Sequence, residues 1–192
     1  MEQRILISGT GGQGVIAAGE FLSEALFRAG YEVANTRSYG AEARGGSSQS
    51  FVLVSDGEIY DLELGEVDIL IAMSVPACRR YLGRAKKDAL VLIEDEALQK
   101  LGRGMIRRDV RLVSVSASET ATTLGNPIVA NMVMLGALSK LSGLLKLELL
   151  KESVKTLMRV SMHDINLKAL EAGYATDYSN RLAFSSSTLE HT

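Results

Sequence analysis

The sequence predicts an α/β fold: a single three-layer α/β/α domain with a Rossmann-like start and a mixed sheet that carries one antiparallel hairpin. Three observations predict it. Short apolar runs alternate with stretches of helical periodicity, a glycine cluster separates the first strand from the first helix, and an Asp-Gly dipeptide divides two strand-like runs. The chain's 192 residues suit one compact domain.

Arg4 to Ser8 reads as a short buried strand entering Gly9-Thr10-Gly11-Gly12-Gln13-Gly14. A helix follows from Val15 to about Ala29, because Val15, Ala18, Leu22, Ala25, Leu26 and Ala29 share one face. Gly30 stands where a helix-ending glycine belongs. Tyr31 to Thr36 suits a second strand, and Arg37 to Ser50 is polar and small enough to be a loop. Phe51 to Ser55 and Glu58 to Asp61 flank Asp56-Gly57, a dipeptide favoured in tight hairpins because both residues tolerate positive φ. That hairpin makes the expected sheet mixed.

Strand and helix signals then alternate. Val67 to Met73, Ala89 to Ile93 and Val110 to Val115 suit buried strands, and Pro76 to Ala85 suits a helix with proline in its first turn. Helices are expected from Asn126-Pro127 to about Ser142, from Leu147 to Arg159, and from Asp164 to Ala172, where Gly173 would end the last. The domain is thus placed at residues 1–173. Residues 174–192 form a Ser-rich tail, expected to be a mobile end or an arm that orders on a partner.

Composition narrows the chemistry. Hydrophobic residues at 46% and charged residues at 23% exclude wholesale disorder. Twenty-one Lys and Arg against 23 Asp and Glu leave no basic excess to neutralise a phosphate backbone, and there is no Trp to stack on bases, so nucleic acid is not an expected partner. Cys78 is the single cysteine, so an intrachain disulfide, an iron–sulfur cluster and a Cys-rich zinc site are all excluded. The N-terminus lacks a secretory leader, and the most apolar later stretch, Ile128 to Leu138, falls far short of the ~20 residues that span a bilayer. A cytoplasmic protein without a membrane partner is expected.

Gly9, Gly11 and Gly14 satisfy G-x-G-x-x-G between a strand and a helix, the context that gives the motif physical meaning. Glycines let backbone approach a ligand, and the amides of a helix N-terminus attract an anion. The same loop also serves as a tight turn that needs glycine for packing. A dinucleotide fold expects an acidic residue for the ribose hydroxyls at the end of the second strand, whereas Asn35-Thr36-Arg37 stands there. Arg37 could meet a 2′-phosphate, which keeps open an alternative: a free-standing NADP-binding oxidoreductase or nucleotide-binding module.

Three segments in register carry a resemblance. Gly9-Thr10-Gly11-Gly12-Gln13-Gly14, then Tyr39-Gly40-x-Glu42-x-Arg44-Gly45-Gly46, then Gly125-Asn126 with Asn131-Met132-x-Met134-Leu135-Gly136, resemble the gamma subunit of 2-oxoacid:ferredoxin oxidoreductases. The likeness is closest to the 2-oxoglutarate enzymes and runs from Arg4 to about Gly173. It implies a complex that oxidatively decarboxylates a 2-oxoacid, acylates coenzyme A and reduces ferredoxin. It also implies alpha and beta subunits that hold thiamine diphosphate and Mg, with iron–sulfur clusters in beta or in a ferredoxin-like delta subunit. This chain would bind none of those cofactors itself. Its own contribution would be to help seat coenzyme A through Gly9, Gly11, Gly12, Gln13 and Gly14, with Tyr39, Glu42 and Arg44 as further candidates.

Each candidate has a plainer reading beside it. Arg44 could pair with Glu42 or meet a partner subunit, and Gln13 could merely close the turn. Asn126 is placed to cap the helix that Pro127 opens, and Asn131, inside an apolar helix, needs a buried partner. Cys78 lacks a paired base and reads as a structural thiol. His163 reads as a helix-start residue, and Met132 and Met134 as packing.

Overall fold

The N-terminal apolar run forms strand β1, Glu2–Thr10, longer at both ends than its buried segment. It belongs to a computed structural model that describes residues 1–39, 46–60, 63 and 65–179. β1 leads through the glycine cluster into α1 (Val15–Arg28), which ends at Gly30 with φ +92° as its position required. The chain continues as β2 (Glu32–Tyr39), β3 (Ser47–Ser55), β4 (Val67–Ala72), α2 (Val75–Tyr81), β5 (Ala85–Glu94), α3 (Asp95–Gln99), β6 (Arg111–Val115) and α4 (Ala117–Thr123). It closes with α5 (Ala130–Ser142), α6 (Leu147–Leu157) and α7 (His163–Ala175). The short helices α3 and α4 give too little periodicity to be read from sequence.

The six strands form one sheet in the order β2-β3-β1-β4-β5-β6. β1, β4, β5 and β6 run parallel, and β3 runs antiparallel to both β1 and β2. Side chains alternate between two cores. Ile5, Ile7, Ile69, Ile71, Leu92 and Val113 pack with α1 and α4 to α7, whereas Leu6, Leu70, Val91, Ile93 and Leu112 pack with α2 and α3. Helices therefore cover both faces, and the near-continuous apolar runs of β4 and β5 follow from burial on two sides.

The mixed sheet is present, but its hairpin is not the one expected at Asp56-Gly57. Residues 58–60 do not return as a strand, because β3 is already paired along both edges and has none left to offer. Antiparallel pairing instead joins β2 to β3, so much of the polar stretch from Arg37 to Ser50 is strand.

Nor does Gly173 end the last helix. It lies inside α7, where an added Cβ would stand 2.0 Å from the Val133 carbonyl oxygen, while one on Gly136 would stand 2.1 Å from that of Leu170. These two glycines let α5 and α7 pack backbone against backbone. The Tyr178 hydroxyl, buried beyond the helix, donates to the Gly173 carbonyl at 2.7 Å, so the ordered fold extends past residue 173. Among the described residues, no helix is long and apolar enough to cross a membrane.

Gly173→Ala should lower stability by about 3 kcal/mol or more, because backbone on the facing helix cannot yield as a side chain would. Urea unfolding of the purified protein measures this. An unchanged midpoint would show that the helices separate at little cost.

Candidate functional site

In an open α/β sheet, ligands occupy the crevice at the carboxyl ends of parallel strands where successive connections go to opposite faces. That point lies here between β1 and β4, since α1 leaves β1 for one face and α2 leaves β4 for the other. The glycine loop and the Met73-Ser74 turn form its two lips.

Within the loop, Gly12 (φ +93°) and Gly14 (φ +69°) hold left-handed backbone that L side chains adopt at a cost. Gly9 serves differently: a Cβ there would stand 2.5 Å from Gln13 Oε1. Gln13 explains that crowding. Its Oε1 accepts from the Thr10 amide at 2.7 Å and hydroxyl at 3.1 Å, and its Nε2 donates across the crevice to the Met73 carbonyl at 2.8 Å. Both ends of the side-chain amide are engaged within the protein, so Gln13 closes the turn and ties β1 to β4.

The Gly11 amide donates to the Gly46 carbonyl at 2.9 Å. Gly14, at the helix N-cap, supplies the carbonyl for the first bond of α1, from the Ala18 amide at 2.9 Å. The amides of Val15, Ile16 and Ala17 consequently have no acceptor inside the helix, and the partial positive charge of a 14-residue helix lies at this lip. Turns with φ of alternating sign gather amides into a concavity suited to anions.

Behind the loop stands Asn131, 5% exposed in the first turn of α5. Its Nδ2 donates to the Gly14 carbonyl at 3.0 Å and its Oδ1 accepts from the Met132 amide at 2.9 Å. The buried partner expected for this amide is thus the glycine loop. A contact between residues 117 apart in sequence leaves no local signal.

Past Gln13 the crevice opens into a cleft of about 200 Å³ lined by Met73, Ser74, Glu94, Lys100 and Ser118. Glu94 is buried and was not legible as a site residue. Its carboxylate accepts from the amides of Glu96 at 2.8 Å and Ser118 at 3.2 Å, joining the starts of α3 and α4.

The other sequence candidates divide. Tyr39 ends β2, 67% exposed, on the same sheet edge as the loop, since Ser48 of β3 pairs with both Tyr39 and Gly9. Glu42 and Arg44 lie outside the described residues. Asn126 caps as expected: its Oδ1 accepts from the Ile128 amide at 3.2 Å, opening a 3-10 turn with Pro127 first. His163 begins α7, its Nε2 2.9 Å from the Met158 carbonyl. Cys78 is fully buried, and burial pushes its thiol up to about 11, leaving it neutral and unreactive near neutral pH. Among the described residues, no cluster of three or more His, Cys, Asp or Glu could hold a metal ion.

Two observations count against a dinucleotide site. β3 separates β2 from β1, which moves the ribose-binding position at the end of β2 about 10 Å from the loop strand, twice the spacing of neighbouring strands. Arg37 is also engaged, 2.7 Å from the Glu20 carboxylate.

A glycine loop at the switch point of a mixed, doubly covered sheet defines a Rossmann-like α/β protein whose loop faces an open crevice. Comparison with known proteins sharpens that class. The family model described as pyruvate ferredoxin/flavodoxin oxidoreductase matches residues 4–176. The 2-oxoglutarate synthase subunit KorC of Methanothermobacter thermautotrophicus is 39% identical over 178 residues, 90% of this chain and 94% of that one. The indolepyruvate oxidoreductase subunit IorB of Archaeoglobus fulgidus is 27% identical, over 94% of this chain and 98% of its own. The keto/oxoacid ferredoxin oxidoreductase gamma subunit of Geobacter sulfurreducens superposes with a TM-score of 0.78 at 31% identity, covering 91% of this chain and 95% of the other. The 2-oxoglutarate:ferredoxin oxidoreductase of Magnetococcus marinus, solved with 2-oxoglutarate, coenzyme A and succinyl-CoA bound, superposes at 0.74 and 27% identity, covering 91% of this chain and 30% of the longer one. The chain belongs to the pyruvate ferredoxin/flavodoxin oxidoreductase family, as a gamma subunit of a 2-oxoacid:ferredoxin oxidoreductase.

Gly14→Ala should cost about 2–4 kcal/mol, combining left-handed strain with overpacking against Asn131 Nδ2, which a Cβ would approach to 2.5 Å. Adding Asn131→Ala should return about 1 kcal/mol of this in a double-mutant cycle followed by urea unfolding. Strict additivity would mean that the two residues do not oppose each other. Cys78 should resist a thiol reagent at pH 8 in the folded protein and react fully in denaturant; rapid labelling of the native state would contradict its burial.

Proposed function

We propose that this chain is the gamma subunit of a cytoplasmic 2-oxoglutarate:ferredoxin oxidoreductase and that its glycine loop helps seat coenzyme A. The observation that carries the substrate class is the 39% identity to a 2-oxoglutarate synthase subunit along nearly the full length of both chains. In this reading the alpha and beta subunits hold thiamine diphosphate, Mg and an iron–sulfur cluster, with a ferredoxin-like delta subunit as a further partner. The complex converts 2-oxoglutarate and coenzyme A into succinyl-CoA and CO2 and passes two electrons to ferredoxin. This chain brings no redox group, in keeping with a single buried cysteine.

The loop's part follows from electrostatics. The amides at the start of α1 and the left-handed turns at Gly12 and Gly14 favour a phosphate at the crevice lip. Gln13 braces this seat through Met73 instead of reaching the ligand, Gly9 makes room for that brace, and Gly11 keeps the approach open. Tyr39, on the same edge, and Arg44, two residues before Gly46 in the sequence, complete the proposed contacts, with Glu42 as the partner that orients Arg44. The related enzyme solved with coenzyme A bound supports the ligand class. A free-standing NADP enzyme is disfavoured by the inserted β3 and by the Arg37–Glu20 pair.

Affinity purification from the native host should bring down larger subunits that carry thiamine diphosphate and iron–sulfur clusters; a chain recovered alone would sink the proposal. In the assembled enzyme, Gly11→Asp tests the seat. Among the described residues, a Cβ added at Gly11 would meet only the Gly46 carbonyl, at an ordinary 3.7 Å, and the new carboxylate would repel a phosphate. The KM for coenzyme A should rise about tenfold with little change in kcat. Arg44→Ala should act in the same direction, and unchanged values for both would leave the loop architectural.

A further inference from the structure

Gln13 braces the loop toward β4, but its bonds go to Thr10 and Met73 and do not set the orientation of the α1 amides. That task falls to the opposite wall, where, among the described residues, Asn131 is the one side chain of α5 that hydrogen-bonds the loop. Asn131 sits in a helix whose neighbouring positions, Met132, Val133, Met134 and Leu135, are buried and apolar. An amide there must have both its donor and its acceptor satisfied. Its acceptor serves the Met132 amide, a group the first turn of α5 would otherwise leave without a partner. Its donor is spent on Gly14, the residue whose left-handed backbone turns the loop into α1.

The fit is reciprocal. With a Cβ on Gly14, Asn131 Nδ2 could not stand where it does, and without Nδ2 the Gly14 carbonyl would keep only its helical bond from Ala18. We infer that Asn131 is a positioning residue: it fixes the conformation of Gly14 and, through it, the direction of the loop and first-turn amides that receive the anionic group of the substrate. It touches no substrate itself. The inference rests on the reading that this loop seats a phosphate of coenzyme A, and it adds that a residue on a different helix sets the seat's geometry before the ligand arrives.

The experiment uses the assembled enzyme carrying Asn131→Leu, which keeps the branched shape of the side chain without its hydrogen-bonding groups, and Asn131→Ala. Leu135→Ala serves as a control that loosens α5 without touching the loop. Hydrogen–deuterium exchange across residues 11–18 should accelerate about tenfold in both Asn131 variants. The KM for coenzyme A should rise about 3- to 10-fold, the range expected for one lost hydrogen bond. The KM for 2-oxoglutarate and kcat should stay within about twofold of the parent, and Leu135→Ala should leave the coenzyme A KM unmoved.

Unchanged exchange in both Asn131 variants overturns the inference. So does an equal rise in KM for Leu135→Ala, which would make Asn131 one contributor to helix stability among several. Gly11→Asp separates the two readings. If it raises the coenzyme A KM and the Asn131 variants do not, the positioning role falls while the seat stands. If it has no effect yet exchange accelerates in the Asn131 variants, the seat falls and Asn131 still sets the loop.

Discussion

One side-chain amide holds the glycine-loop edge of this molecule together. Gln13 accepts from Thr10 at the end of β1 and donates to Met73 at the end of β4, bridging the point where the sheet's connections diverge. The parallel ladder between β1 and β4 ends at Ser8 and Ala72, with one more bond from the Met73 amide to the Ser8 carbonyl. Beyond it the two strands would part, and Gln13 extends their pairing by one side chain. The absence of a Cβ on Gly9 follows from it, because that space holds Gln13 Oε1.

The same principle of side-chain amides joined to backbone recurs on the other wall. Asn131 meets Gly14 as Gln13 meets Met73, and each contact is permitted by a glycine beside it. A loop braced from two directions is preorganised, and preorganised amides bind an anion without first losing conformational freedom. Glu94 extends the arrangement by fastening the starts of α3 and α4 behind the cleft. These contacts tie the glycine loop, β4 and the starts of α3 and α4 together along one edge of the sheet.

Close backbone contact also organises the helical layer. Gly136 and Gly173 let α5 pack against α7, which places α5, and with it Asn131, at the height of the loop. Gly19 performs the equivalent task between α1 and the sheet, where a Cβ would overlap Ser50 Oγ at 1.8 Å. In helical sequence such glycines look like stops, since glycine weakens a helix in isolation. Here each supports a packing distance that any side chain would forbid.

Periodicity and local chemistry by themselves determined most of the strands, the longer helices, the layered class, and the glycine loop as the place to look. These properties depend on residues close in sequence: alternation for burial, φ for Gly30 and the loop glycines, capping for Asn126. Tertiary structure alone decided the rest. It inserted β3 between β1 and β2, because strand order depends on which edges are free, and this denied Asp56-Gly57 its hairpin and weakened the dinucleotide reading. It turned Gly173 from a helix stop into a helix contact, and it gave Gln13 and Asn131 partners 60 and 117 residues away. Such pairings require the chain to be folded before the groups meet, so no window of sequence contains them.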